Sequence, residues 1–269
     1  MAATDKVFTG SIPQIYERLL VPLIFAPYAR DLAARIAQVR PRRLLETAAG
    51  TGVVTRALSA ELSADVAISA TDLNEPMLAQ AKAALPDPRV EWRQADALAL
   101  PFDDASFDVV ACQFGVMFFP DRIKGYAEAH RVLAPGGRLF FNVWDRIEDN
   151  EFADVVTRAL AQVFPDDAPR FLARTPHGYH DRDTIRSDLQ RAGFGAVTID
   201  EVEHVSCAPS PREPAMAYCQ GTPLRSEIEA RGAPGLEVAT DKAAEWLAQR
   251  FGDGAVEGRI RALVISAAR

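Results

Sequence analysis

The stretch Leu44-Leu45-Glu46-Thr47-Ala48-Ala49-Gly50-Thr51-Gly52 decides how the first half of the chain is read. An apolar pair opens a strand, a glycine-containing turn follows, and Val53-Val54-Thr55-Arg56-Ala57-Leu58 can begin a helix. Such a strand, turn and helix start make a ligand site, because glycine lets a ligand approach the backbone and the helix end presents unpaired N–H groups.

Outward from that turn the pattern is strand then helix, repeated. Residues 53–63 are the first helix, and Val66 to Thr71 the second strand. Asn74 can cap the next helix, which Pro86 ends near Leu85. Val90 to Gln94 is a third strand, and the apolar run Phe107 to Gln113 a fourth, as expected of a strand buried on both faces. A helix from Asp121 to Leu133 stops at Pro135-Gly136-Gly137, and Arg138 to Trp144 is the fifth strand. This alternation predicts right-handed crossovers and a parallel sheet.

Upstream, Ile12 to Ala37 reads as helix that Pro22 and Pro27 should break into short pieces, within a helical lead-in over 8–37. Downstream, a helix covers Glu151 to Val163, a loop runs to Asp181, and Asp181 or Asp183 caps a helix that Gly193 ends. Ala196 to Val205 and Gly258 to Ala267 read as sixth and seventh strands. Between them lie about fifty proline-containing residues with a helix from Asp241 to Phe251; so long an excursion predicts a lid or binding element, over 206–257.

The composition bounds the function. The 269 residues carry 37 acidic and 30 basic side chains, a net charge of −7, without a long Lys/Arg run, which disfavours nucleic acid as a partner. Cys112, Cys207 and Cys219 are too few and too scattered for a disulfide framework or a cysteine-rich zinc site. There is no basic segment followed by a long apolar run at the start and no 18-residue apolar stretch, so a cytoplasmic protein without a transmembrane segment is expected.

Asp72 lies twenty residues beyond Gly52, at the end of the second strand. In an open α/β sheet that places a carboxylate beside the glycine turn, where it can accept hydrogen bonds from ribose hydroxyls. A dinucleotide fingerprint needs a third small residue, and in the two possible registers that position falls on Thr55 or on Val53. A ligand without phosphates, with a carboxylate for the helix N-terminus, makes fewer such demands.

Four stretches in family order carry a resemblance: Leu45 to Gly52, Ala70-Thr71-Asp72-Leu73-Asn74-Glu75-Pro76-Met77-Leu78, Gln94-Ala95-Asp96-Ala97-Leu98-Ala99-Leu100-Pro101-Phe102, and Phe107 to Val110 through Phe119-Pro120-Asp121. Arg131-Val132-Leu133-Ala134-Pro135-Gly136-Gly137 adds a fifth. Together they resemble the class I S-adenosylmethionine-dependent methyltransferases, in particular the group of the ubiquinone/menaquinone-biosynthesis C-methyltransferases.

The resemblance implies a Rossmann-like α/β fold: a seven-stranded sheet, mostly parallel with an antiparallel last strand, with helices on both faces. It implies one methyltransferase domain over 1–269 with its cofactor-binding core at 43–145, S-adenosylmethionine as cofactor and a small-molecule methyl acceptor, while the apolar content of the lead-in helices and of the 206–257 excursion suggests that this acceptor has hydrophobic surface. Glu46, Ala48, Gly50 and Gly52 would surround the methionyl and ribose end, and Asp72 would hold the ribose diol. Leu73 and Met77 would pack near adenine, Asp96 would accept from its amine, and Ala97 would offer a backbone N–H. Gln113 and Phe114 would lie near the cofactor and the acceptor entrance. The family usually has glycine where this chain has Ala48, whose methyl group could narrow the turn.

Other candidates face the acceptor. Tyr16 or Tyr28 could close over a ligand or simply pack on the core, and Phe118 could line the acceptor site or the core. In His177-Gly178-Tyr179-His180, the histidines could supply a base or two metal ligands, but no third ligand is specified, so no metal is expected and a polar lid loop is the plainer reading. No catalytic base is assigned, because a sulfonium leaving group calls for one only if the acceptor atom must lose a proton. The rival readings are a nicotinamide-dependent oxidoreductase on the same architecture and a non-catalytic S-adenosylmethionine-binding protein.

Overall fold

The strand order β3-β2-β1-β4-β5-β7-β6 places the reversal of winding between β1 and β4, which is where an open α/β sheet leaves a crevice at its strand ends. The order comes from a computed structural model that describes residues 12–269; residues 8–11 of the expected lead-in lie outside the described residues. The strands are β1 (Arg43–Glu46), β2 (Ala67–Asp72), β3 (Val90–Gln94), β4 (Phe107–Gln113), β5 (Leu133–Trp144), β6 (Val197–Ala208) and β7 (Val256–Ala268). β1 pairs in parallel with β2 and β4, β2 with β3, and β4 with β5, whereas β7 runs antiparallel to both its neighbours.

The helices, in chain order, are α1 (Ile12–Ile15), α2 (Ala26–Ala37), α3 (Val53–Glu61), α4 (Glu75–Ala84), α5 (Arg122–Val132), α6 (Glu151–Val163), α7 (Phe171–Arg174), α8 (Arg182–Arg191), α9 (Arg212–Gln220), α10 (Leu224–Ala230) and α11 (Leu236–Phe251). The chain groups into two compact units. One comprises residues 12–25, Trp144–Gly178 and Glu203–Ala262; the other comprises Ala26–Val143, Tyr179–Val202 and Leu263–Arg269.

The second unit holds the Gly turn and is built on a core in which Leu44, Ile68, Val109 and Ala111 of the strands meet Leu32 and Ile36 of α2 and Val54 and Leu58 of α3. All eight are nearly or wholly inaccessible, so apolar burial is the main force holding β1 and α3, and hence the turn between them, in place. In the first unit α11 packs on α9 and α6. Phe152 of α6 meets Phe251 of α11 edge-on at 5.1 Å, and the buried Gln220 amide donates to Thr240 Oγ1 at 3.2 Å.

Several elements differ from the sequence expectation. Pro22 does not break the lead-in: Tyr16–Phe25 forms a π-helical stretch between α1 and α2, a wider turn that accommodates the proline without ending the helical run. β5 begins at Leu133, not Arg138, because Pro135-Gly136-Gly137 forms a bulge between the pairs Phe107 with Leu133 and Val109 with Arg138. α7 falls where only loop was expected. The excursion between β6 and β7 holds three helices instead of one, since its prolines start helices: Pro211 and Pro223 are the N-caps of α9 and α10.

Of the caps expected from the sequence, that of α8 forms and that of α4 does not, and Asp121 adds one to α5. Asp121 accepts from Lys124 N at 3.0 Å and Asp181 from Thr184 N at 2.8 Å, each capping its helix. Asn74 occupies the N-cap position of α4 but makes no side-chain cap; its backbone N–H and amide both donate to Asp72 Oδ1, at 2.7 and 3.3 Å, because a buried carboxylate is the stronger acceptor.

Candidate cofactor site

The turn after β1 is stitched into the strands on both sides. Thr47 N–H donates to Ala111 O of β4 and Ala49 N–H to Thr71 O of β2, each at 2.9 Å. Between them Ala48 takes a φ of 53°, followed by Gly50 at 58° and Gly52 at 81°. Three left-handed residues within five fold the backbone back so that α3 can start at Val53, and Gly52 at its N-cap gives it no side-chain cap.

The two glycines serve different ends. A Cβ at Gly50 would meet only Met77 Cε, at 3.7 Å, so the backbone is open there. One at Gly52 would lie 3.0 Å from Trp92 and 3.1 Å from Ala81, so its missing side chain makes room for β3 and α4.

Asp72 closes the turn from β2. Its Oδ2 accepts Gly50 N–H at 2.8 Å while Oδ1 takes Asn74. The carboxyl is buried, and burial raises its pKa, opposed by the N–H groups of Asn74 and Gly50. A carboxylate has about four acceptor positions, so capacity remains for a ligand hydroxyl.

Glu46, at the end of β1, is 1% exposed, and burial pushes its pKa up to about 8; the bond from Thr55 Oγ1, at 2.6 Å, opposes the rise and nearby Asp72 adds to it. Near neutral pH the site therefore holds a carboxyl that a cation would ionise. Thr55 was singled out only as a poor third position for a dinucleotide fingerprint. Here it is buried and hydrogen-bonded to Glu46, which accounts for a residue larger than glycine at that place.

On the β4 side, Phe114 has a φ of 49°, and its N–H donates to both Asn142 O (3.1 Å) and Asn142 Oδ1 (3.0 Å). Asn142 Nδ2 reaches Gln113 Oε1 at 3.3 Å. Asn142 is fully buried and was missed by the sequence reading, although a lone amide in Phe140-Phe141-Asn142-Val143-Trp144 is the signal that could have found it. Asn142→Ala is expected to lower the unfolding free energy by about 1–3 kcal/mol, the cost of unsatisfied buried groups; urea denaturation checks this.

The remaining cofactor candidates lie at the ends of β2, β3 and the loop after β3. Leu73 is 46% exposed beside Asp72, while Met77 is buried next to Gly50. Asp96 is exposed and its Oδ1 accepts Leu98 N–H at 2.9 Å; Ala97 is half-buried.

The acceptor-side candidates divide between the two units. Tyr16 stacks on Phe25 at 5.0 Å in the first unit, where His177 is also buried, its Nδ1–H donating to Asp145 O at 2.9 Å. In the second unit Tyr28 is wholly buried, donates to Val202 O and meets Phe114 edge-on. Phe118 is half-buried in a short 3-10 turn, and His180 is half-buried just before α8. The Tyr179 hydroxyl donates to Asp188 at 2.9 Å and accepts from Tyr126 at 3.4 Å, with the Arg122 guanidinium over its ring. Among the described residues, no group of three or more His, Cys, Asp or Glu side chains could hold a metal ion. Cys112 is buried and burial pushes its thiol up to about 12, which keeps it protonated.

The donor set fits an adenosine-bearing cation: the buried carboxyls of Glu46, at the end of β1, and Asp72, bonded to the open Gly50, belong to one turn, and the buried hydroxyl of Thr51 in that turn has no partner among the described residues. Comparison with known proteins agrees. Residues 45–141 match the family described as methyltransferase domain. Over 141 residues the chain is 38% identical to a demethylmenaquinone methyltransferase of Deinococcus radiodurans, covering 51% of this chain and 58% of that relative. It is 34% identical over 172 residues to a ubiquinone/menaquinone biosynthesis C-methyltransferase of Burkholderia orbicola, covering 60% of this chain and 71% of the relative. The phosphoethanolamine N-methyltransferase 2 of Haemonchus contortus, solved with S-adenosylhomocysteine, shares the fold at a TM-score of 0.63 and 16% identity, over 100% of this chain and 61% of that one.

The chain belongs to the class I S-adenosylmethionine-dependent methyltransferases, in the group of the ubiquinone/menaquinone-biosynthesis enzymes, and its cofactor is S-adenosylmethionine.

Proposed function

We propose that this enzyme methylates a small acceptor with hydrophobic surface, in the cytoplasm, by in-line displacement. The observation that carries the reading is the buried Asp72 carboxyl holding Gly50 N–H in the turn after β1, with the buried carboxyl of Glu46 at the end of that strand, beside the reversal of the sheet's winding. S-adenosylmethionine, when bound, supplies a methyl group already activated on a sulfonium.

The chain's own part is binding, orientation and exclusion of water. Asp72 would accept from the ribose hydroxyls, Glu46 would face the cationic methionyl end, and Asp96 with the Ala97 N–H would read the adenine edge. Leu73 and Met77 would flank that ring. Gln113 and Phe114, fixed by Asn142, would hold the side from which the acceptor comes. Positioning of this kind supplies much of the acceleration when the leaving group is already good. The helical insertion over 206–257 would supply acceptor specificity. The quinone-pathway names of two relatives support an apolar acceptor. The excess of acidic side chains supports a partner other than nucleic acid.

The test is transfer of labelled methyl from S-adenosylmethionine to a panel comprising a demethylated quinol with an apolar tail, its tailless head group, a polar amine and an oligonucleotide. Label on the tailed acceptor in preference to the others is expected. Label confined to the amine or the oligonucleotide would sink the acceptor assignment.

A further inference from the structure

Gly115 has a φ of −100° and a ψ of −40°, a conformation open to any residue, so its backbone does not require glycine. Its surroundings do. A Cβ at Gly115 would lie 2.5 Å from Ala48 Cβ and 2.7 Å from Cys112 Sγ. The sulfur can swing away about its side-chain torsion. The methyl of Ala48 cannot, because the backbone on either side of it is bonded to β4 through Thr47 and to β2 through Ala49. Gly115 is held as firmly: Phe114 N–H is fixed on Asn142, and Gly115 O accepts Phe118 N–H at 2.9 Å.

The methyl of Ala48 is thus directed at the turn after β4. Ala48 also holds a φ of 53°, where glycine is at ease and alanine is strained. The strained residue meets a glycine that leaves space for its methyl group, and the contact joins the cofactor turn to the turn that follows Gln113.

We propose that Ala48 is a positioning residue for the cofactor, its methyl group seated on Gly115 so that the turn after β4 holds the cofactor turn in its binding shape. This rests on the assignment of the turn to S-adenosylmethionine.

Ala48→Gly separates positioning from mere stability, because the two respond in opposite directions. The glycine relieves the left-handed strain, so the melting temperature of the full chain should hold or rise. The turn loses its seat and must be ordered when ligand binds, so the Kd for S-adenosylhomocysteine should rise about two- to fivefold, the range of an alanine-to-glycine difference in chain freedom. Gly115→Ala should lower the melting temperature and weaken binding. Ala48→Gly added to it moves the methyl across the contact and should restore both more fully than Cys112→Ala does.

Calorimetric titration and thermal melts read all four variants. An unchanged or tighter Kd in Ala48→Gly overturns the proposal, as does rescue of Gly115→Ala by Cys112→Ala and not by Ala48→Gly. Should Gly115→Ala not fold, Ala48→Gly decides alone. A wild-type chain that binds no S-adenosylhomocysteine overturns instead the cofactor assignment beneath it.

Discussion

Asp72→Ala is expected to weaken S-adenosylhomocysteine binding by about 1.5–3 kcal/mol, roughly tenfold to more than a hundredfold, the range for hydrogen bonds to a charged group. The loss has two sources. The ribose hydroxyls would lose the acceptor proposed for them, and the N–H groups of Gly50 and Asn74, which the carboxylate now holds at 2.8 and 2.7 Å, lose theirs. The turn therefore loosens as its ligand contact disappears. Asp72→Asn keeps one oxygen in place and should fall between wild type and alanine. Titration of folded variants measures both, and an unchanged Kd in Asp72→Ala would contradict the role.

Glu46 gives the second large effect, and its sign follows from burial. Its pKa in the folded chain lies near 8 against an ordinary 4.5. Between those values the folded chain keeps a proton that the unfolded chain has lost, so this group's contribution to stability is full below about pH 4.5 and is lost as pH rises to about 8. A bound cation reverses the preference. The cofactor's ammonium group, with an ordinary pKa near 8, is charged at pH 6.5 and should ionise Glu46, releasing a proton. S-adenosylhomocysteine titrated at pH 6.5 in buffers of different ionisation enthalpy should therefore show release of a fraction of a proton to one proton, and affinity should improve from pH 5.5 to 7. Glu46→Gln keeps the shape, removes the proton release and weakens binding at pH 7 by about tenfold or more, in line with a lost charge-assisted contact. Identical proton release in Glu46→Gln would assign it to another group.

The parts of the molecule legible in the sequence are those whose cause is local. Gly50, Gly52 and the apolar strands around them announce the turn, and Asp72 at a strand end announces its partner. The bulge at Pro135-Gly136-Gly137 was read as a stop because the same residues that end helices also permit an extra loop within a strand. α9 and α10 do not stand out in the proline-containing excursion because a proline marks a loop and a helix start alike; Pro211 and Pro223 sit at helix starts, where a missing N–H costs nothing. Asn74 carries the chemistry of a cap and yet serves Asp72, a choice made by a neighbour that burial has made a strong acceptor.

What stayed hidden depends on contacts between distant residues. The raised pKa of Glu46 arises from complete burial, the Thr55 bond and the nearness of Asp72, none of which spacing reveals. Ala48 stood out only as a departure from its family, and the reason such a departure is tolerated lies at Gly115, on another turn. Tyr28 and His177 look chemical in the sequence, but the fold buries both and commits Tyr28 Oη and His177 Nδ1 to backbone carbonyls.

The most direct measurement of the central claim is a crystal structure of the full chain soaked with S-adenosylhomocysteine. The ribose hydroxyls are expected on the Asp72 carboxylate, the methionyl ammonium facing Glu46, and the backbone of Gly50 against the ligand. Density for the ligand elsewhere, with Asp72 and Glu46 untouched, would contradict it.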